Sequence, residues 1–315
     1  MSVVAMSLAY LNGKLVPAVE AVVPVYDAGY VLGTTVAEQL RTFGGRLFRL
    51  EPHLARLEHS LEIVGVDLGL SMAELGEAAA DLAARNHILL DPSDDLGLSM
   101  AVSPGPYSTM AAMVGADAHR GPMICMHTYP LAFHLWADKY RTGQSLVVTD
   151  IQQVPPVCWP VELKCRSRMH YYLADLQARR IEPGARAVLL DADGHVLEAS
   201  TANICIYRRE EGLVSPPQER ILPGVSIAVV AELAQALEIP FVHRDLTVDE
   251  LLRADEVLLC STSPCVWPVL RLNGRTIGSG APGEVFQSLL TAWSRLVGVN
   301  IQSQAERFAQ RSTDW

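Results

Sequence analysis

Apolar runs of period two and apolar runs of helical period are interleaved along this chain with no strict strand–helix–strand alternation. That mixture argues against a doubly wound parallel sheet and for an α+β architecture with mostly antiparallel pairing. Leu8 to Val16 alternates apolar and polar residues around Asn12-Gly13, the strongest short-range hairpin signal. Further strands are expected at Val22–Val25, Val36–Arg41, Leu98–Val102 and Met123–Tyr129, with a tight turn over Phe43-Gly44-Gly45-Arg46-Leu47. Leu54, Leu57, Leu61 and Val64 recur at helical spacing between Pro52 and Val64, which places His53, Arg56 and Ser60 on the other faces of that helix. A second helix is expected over Met72–Ala84.

A chain of 315 residues is long for one core, so two domains are expected. The boundary falls in Pro130 to Thr142, which carries aromatic and charged residues without clear periodicity. The expected division is an α/β domain over 1–130, a linker over 131–142 and an α+β domain over 143–315 that carries Lys164. In the second half, strands are expected at Ser145–Thr149, Val161–Cys165, Ala187–Leu190, Val196–Glu198, Ile204–Tyr207 and Glu256–Cys260. Helices are expected at His170–Arg179, Ser226–Leu237 and Val248–Ala254.

Hydrophobic residues make up 50% of the chain and charged residues 19%, enough apolar material for buried sheets and too much for disorder. The net charge of -10 repels nucleic acid and anionic membrane surfaces, so neither is an expected partner. The N-terminal stretch MSVVAMSLAYLNGK has no basic region followed by an apolar one, and no run of 18 apolar residues exists. A cytoplasmic protein is expected. The six cysteines show no CxxC pair and no zinc-finger spacing, so no metal site is expected. Buried free thiols in a reducing compartment suit them better.

Only Lys14, Lys139 and Lys164 are lysines, so each can be judged singly. Lys14 follows a hairpin turn and Lys139 sits in Asp138-Lys139-Tyr140-Arg141, both solvated settings. Lys164 lies in the β-type run Val161 to Cys165, where an apolar setting would disfavour the charged amine and suit it to Schiff-base chemistry. A lysine snorkelling at a strand edge is the competing reading. Glu198 follows the turn Asp191 to His195, where a carboxylate is ordinarily just solvated. Pro223-Gly224 introduces an apolar helix whose free N–H groups and positive dipole end suit an anion. Ser261-Thr262-Ser263-Pro264 supplies hydroxyls at another loop, or is simply a polar turn.

In this order the pieces resemble the class IV aminotransferases, the fold-type IV pyridoxal phosphate enzymes, which include branched-chain and D-amino acid aminotransferases and aminodeoxychorismate lyase. The resemblance runs from about Leu8 to about Val297. It rests on Asn12-Gly13-Lys14, Asp27 to Gly33, Glu51 to Leu57, Leu163-Lys164, Glu198 to Asn203, Leu222 to Ser226 and Ser261-Thr262-Ser263. It implies a two-domain α+β fold of the D-amino acid aminotransferase kind with pyridoxal 5′-phosphate in the cleft between domains, and a homodimer as the minimal assembly.

By the same resemblance Lys164 matches the lysine that forms the internal aldimine and shuttles the proton during turnover. Glu198 matches the carboxylate that pairs with the pyridine nitrogen. Arg56 matches the phosphate arginine, helped by the backbone N–H groups of Val225 and Ser226 and by the Thr262 hydroxyl. His53 and Asn203 match supporting residues, and Tyr30, Arg166, Arg168 and Ser263 are candidates for contact with substrate.

The implied reaction is amino transfer between an amino acid, branched-chain-like or a related amine donor, and an oxo acid, both small molecules. D-amino acid activity is disfavoured, because Met100 to Met110 lacks the carboxylate-binding arginine of those enzymes. The Asn-Tyr pair that follows the lysine in branched-chain enzymes is replaced here by Cys165-Arg166-Ser167-Arg168, so Tyr171 or Tyr172 would need a shift in register to substitute. The run Lys164 to Arg168, with Gly105 to Thr109, is more similar to the lyases, which release pyruvate; that activity stands as the alternative. A family member that binds a ligand without catalysis is the third.

Overall fold

The computed structural model describes residues 6–115 and 118–310, so residues 1–5 of the N-terminal stretch read for a targeting signal lie outside the described residues. The chain divides into two compact units. The first holds the described residues up to Leu131 together with Leu163–Ser167; the second holds Ala132–Glu162 and Arg168–Gln310. The segment that carries Lys164 therefore packs with the first unit, not with the C-terminal one as the sequence suggested.

Among the described residues the first unit contains strands β1 (Leu8–Leu11), β2 (Lys14–Pro17), β3 (Val36–Phe43), β4 (Arg46–Leu47), β5 (Leu96–Ser103) and β6 (Met123–Pro130). They form one sheet in the order β2-β1-β6-β5-β3-β4, antiparallel throughout. The β1–β2 turn uses positive φ at both Asn12 and Gly13, as a two-residue hairpin of matching twist requires. Helices α1 (Ala28–Val31), α2 (Leu50–Val64) and α3 (Met72–His87) complete the unit. Val36, Leu40, Leu98, Met100, Val102 and Met126 share one sheet face and pack against Leu54, Leu57 and Leu61 of α2 and Leu75, Ala79 and Leu82 of α3.

The structure corrects the sequence reading at several points, in this unit and beyond it. Val22–Val25 is not a strand: Ala21 to Pro24 is irregular and Val25 lies in a turn, with Val22, Val23 and Val25 exposed, because Asp27 turns the chain by capping α1 through Gly29 N. Val161–Cys165 is not a strand either. After the turn at Val161 and Glu162 the chain makes a single bridge, Cys165 to Val36, flanked by Ala37 N–H to Lys164 O (2.9 Å) and Arg166 N–H to Thr35 O (2.7 Å). The faces of α2 that carry His53, Arg56 and Ser60 are covered too: His53 and Ser60 are buried, and Arg56 is largely covered at its side chain. The cysteines are not uniformly buried: Cys205, Cys260 and Cys265 are, Cys125 and Cys165 are partly covered, and Cys158 is exposed.

The second unit holds β7 (Gln144–Val148), β8 (Arg186–Leu190), β9 (Val196–Ala199), β10 (Ala202–Arg208), β11 (Gly212–Ser215), β12 (Phe241–His243), β13 (Glu256–Ser261), β14 (Cys265–Leu272) and β15 (Arg275–Thr276). Their order is β12-β11-β10-β13-β14-β7-β8-β9, with β15 on β14 and an added β9–β10 pairing that closes the sheet on itself. Pairing is mixed: β7 runs parallel to β8 and to β14, and β11 parallel to β12. The helices are α4 (Lys139–Thr142), α5 (Met169–Ile181), α6 (Val225–Ala236), α7 (Val248–Arg253), α8 (Glu284–Val297) and α9 (Ile301–Phe308). Beyond Glu256–Cys260, the last strand expected from the sequence, α8 packs through the buried stripe Phe286, Leu289, Leu290 and Trp293, a one-faced helical pattern.

Candidate active site

In the first unit the site begins on β3. Its alternation puts Val36, Glu38 and Leu40 on the face that meets the helices, so a carboxylate enters an apolar layer. Glu38 is buried there between two side chains, Arg56 and His53, and also accepts from Gln39 N–H at 3.2 Å. Arg56 Nε donates to Oε1 at 2.6 Å, Arg56 Nη2 donates to Oε2 at 2.8 Å, and His53 Nδ1 lies 2.7 Å from Oε2. His53 and Arg56 stand three residues apart on α2, so one turn of helix brings both to the same carboxylate. Burial alone would raise the Glu38 carboxyl. The Arg56 charge, the hydrogen bonds from His53 and Arg56 and the Lys164 charge outweigh it and hold the group well below the usual carboxylate range. Burial pushes His53 down, against the pull of Glu38.

Lys164 belongs to this cluster. Its backbone is held on both sides, by Ala37 N–H on its carbonyl and by its own N–H donated to Ser60 Oγ at 3.2 Å, and its charge acts on both Glu38 and His53. Two residues on, Arg166 donates from Nη2 to Ser99 Oγ at 2.7 Å, on the sheet face opposite the helices. Tyr30 is 71% exposed and joins none of these contacts.

In the second unit Glu198 on β9 lies directly opposite Asn203 on β10. Glu198 is 3% exposed, and burial raises its carboxyl above the usual range. The Tyr171 hydroxyl, the Gln153 amide, the Leu222 backbone and the Arg168 charge pull the other way. Tyr171 and Gln153 both donate to Oε1, Gln153 from Nε2 at 2.5 Å. Tyr171 reaches it from the first turn of α5.

Asn203 Nδ2 donates to Leu222 O at 3.0 Å and so holds the loop that leads into α6. A Cβ at residue 224 would fall 1.9 Å from Asn203 Oδ1, so glycine is needed there for close approach. Gly224 is the N-cap of α6 and supplies no side-chain acceptor, which leaves the amides of Val225 and Ser226 at an uncapped, positive helix end. Thr262 and Ser263 occupy the turn between β13 and β14, half-buried.

Lys164, Arg56, His53 and Arg166 thus lie in the first unit, and Glu198, Asn203, Val225, Ser226, Thr262, Ser263 and Arg168 in the second. Sequence reasoning missed Glu38, Ser60, Ser99 and Gln153. Glu38 carried a usable signal, an acid at an inward position of a strand otherwise apolar on that face. Gln153 carried none, since it stands in an irregular stretch.

The chain has relatives among known proteins. Residues 35–272 match the family model described as amino-transferase class IV. The D-alanine aminotransferase of Bacillus licheniformis is 31% identical over 283 residues, covering 89% of this chain and 94% of that protein. A putative branched-chain-amino-acid aminotransferase of Methanocaldococcus jannaschii is 27% identical, covering 90% and 96%. Among solved structures, the branched-chain aminotransferase of Thermoproteus uzoniensis with norvaline superposes with a TM-score of 0.80 at 25% identity, covering 96% of this chain and 97% of that one.

Proposed function

The chain belongs to the class IV aminotransferases, a family of pyridoxal phosphate enzymes, and from that premise we propose that it transfers the amino group of a small amino acid to an oxo acid, with Lys164 as the Schiff-base lysine. The observation that carries this reading is the setting of Lys164. It is the lysine whose backbone is locked to a strand edge and whose charge falls on a buried carboxylate cluster, whereas Lys14 is exposed beside a hairpin turn and Lys139 pairs with Asp138 at 3.1 Å.

The donor sets fit the cofactor. A buried carboxylate at Glu198 suits a protonated ring nitrogen, and the uncapped α6 start with the hydroxyl of Thr262 suits a phosphate. Arg56, fixed on Glu38 in the first unit, is the guanidinium that the family resemblance assigns to a phosphate. When bound, pyridoxal phosphate supplies the electron sink that makes the substrate Cα acidic. Lys164 Nζ then accepts the Cα proton and returns it, Glu198 keeps the ring nitrogen charged, and Arg166, steadied by Ser99, receives a substrate carboxylate.

The relatives include both D-alanine and branched-chain enzymes, and the absence of an arginine between Met100 and Met110 favours the branched-chain side. A pyruvate-releasing lyase is the second reading, favoured by the guanidinium that Ser99 holds two residues after Lys164. Single-turnover spectroscopy with L-branched-chain amino acids, D-alanine and aminodeoxychorismate in turn decides among them. Loss of absorbance at about 410–430 nm for a band near ~330 nm, with oxo acid released, identifies a transaminase. Pyruvate release with the long-wavelength band regained identifies a lyase, and absence of the band identifies a non-catalytic member.

A further inference from the structure

Glu198 does not stand alone in its pocket. Gln153 follows β7 in an irregular stretch, and its backbone N–H donates to Leu190 O at 3.0 Å, which ties it to the strand beside β9. Its side-chain Oε1 accepts from Val154 N–H at 3.1 Å. The amide oxygen is thereby turned toward the backbone and the NH2 end toward Glu198 and the Tyr171 hydroxyl, which lies 3.3 Å from Nε2. The hydroxyl accepts from Gln153 and donates its single proton to the same Oε1 of Glu198. The result is a closed triangle in which both donors converge on one carboxylate oxygen.

We propose that Tyr171 and Gln153 are the positioning residues of this reaction: by converging on Oε1 they hold Glu198 as an ionised acceptor, oriented toward the ring nitrogen of the cofactor. The inference rests on the assignment of Glu198 to that nitrogen. The triangle is complete only while Oε1 carries no proton, so it works against the burial that would otherwise neutralise the group. The groups that face Glu198 are Tyr171 from α5, Arg168 just before α5, Gln153 from the stretch after β7 and the Leu222 backbone. His170 packs its ring 4.2 Å from that of Tyr171 and is pushed down by burial and by Arg168.

The sign of the expected effect follows. Tyr171→Phe removes a donor to the charged form and leaves the burial, so the Glu198 carboxyl rises further and, as pH falls, the negative charge that would pair with the ring nitrogen is lost at a higher pH. Gln153→Met acts in the same direction and sits in an irregular stretch, where it disturbs no helix or strand.

The test compares Tyr171→Phe, Gln153→Met and Glu198→Gln by reconstitution of the apo-protein with pyridoxal phosphate and by pH titration of the bound cofactor's absorbance, alongside kcat against pH. The expected result is a dissociation constant about tenfold higher for Tyr171→Phe and an acid limb displaced upward by about one pH unit, the loss of one hydrogen bond to a charged group. Gln153→Met should show a smaller change of the same sign, and Glu198→Gln should abolish the limb. A Glu198→Gln protein that loses the limb while Tyr171→Phe and Gln153→Met keep the wild-type limb and affinity overturns the inference and leaves the role of Glu198 standing. A Glu198→Gln protein with the wild-type titration overturns both.

Discussion

The Arg56 guanidinium meets the Glu38 carboxylate through two hydrogen bonds, from Nε to Oε1 and from Nη2 to Oε2, in a pair whose carboxylate is fully covered. An ion pair out of water is held by geometry. Removing one partner leaves the other charge buried and uncompensated, which costs more than the pair itself contributes.

Glu38→Ala should therefore destabilise the protein by about 3–5 kcal/mol, read from urea unfolding. A smaller loss in the Arg56→Ala, Glu38→Ala double variant than the sum of the two single ones would show the coupling. A loss under about 1 kcal/mol for Glu38→Ala would mean that water reaches the pair.

Acid should act through the same cluster. The folded-state pKa of Glu38 is depressed, so its contribution is present above the unfolded carboxylate value of about 4.3 and is lost as pH falls toward the folded value. His53 is also depressed and also favours the folded state at higher pH, since the unfolded chain takes up its proton first, below about pH 6.5. Unfolding free energy should decline below about pH 6.5 through His53 and again below about pH 4.3 through Glu38, and the second decline should be lost in Glu38→Gln; an unchanged slope below about pH 4.3 in that variant would remove Glu38 from the account.

Borohydride reduction of the cofactor-loaded protein, followed by peptide mass mapping, should place the modified lysine at residue 164. Lys164→Ala should show no reducible link and no absorbance at about 410–430 nm. A label on Lys14 or Lys139 would overturn the assignment.

Gly224→Ala should weaken pyridoxal phosphate binding by about tenfold, because the added Cβ would press on Asn203 and break its bond to Leu222 O at the entrance to α6. Equilibrium binding to the apo-protein reads this directly, and wild-type affinity would show that the loop does not set the phosphate site.

Ser99→Ala should raise KM for the amino-acid donor by about three- to tenfold with kcat nearly unchanged, since it loosens Arg166 without touching Lys164. A loss of kcat at constant KM would point instead to a role in the chemical step.

The order of motifs from Asn12-Gly13 to Ser261-Thr262-Ser263 was enough to name the family, and a mixed α+β chain was legible from hydrophobic period alone. Most helices and central strands could be read from the sequence for the same reason: local backbone sterics and the burial period act over a few residues, as in α2 and β5. Where the pattern was short the reading failed, as at Val22–Val25 and Val161–Cys165, because turns at Val25-Tyr26 and Val161-Glu162 interrupt the extended run. What the tertiary structure decided is which distant residues share an environment. Glu38 and Arg56 lie 18 residues apart and Tyr171 and Glu198 lie 27 apart, and nothing in their local sequence indicates the pairing. Strand register and helix docking bring such groups together, and the low dielectric of the interior then makes each pairing necessary.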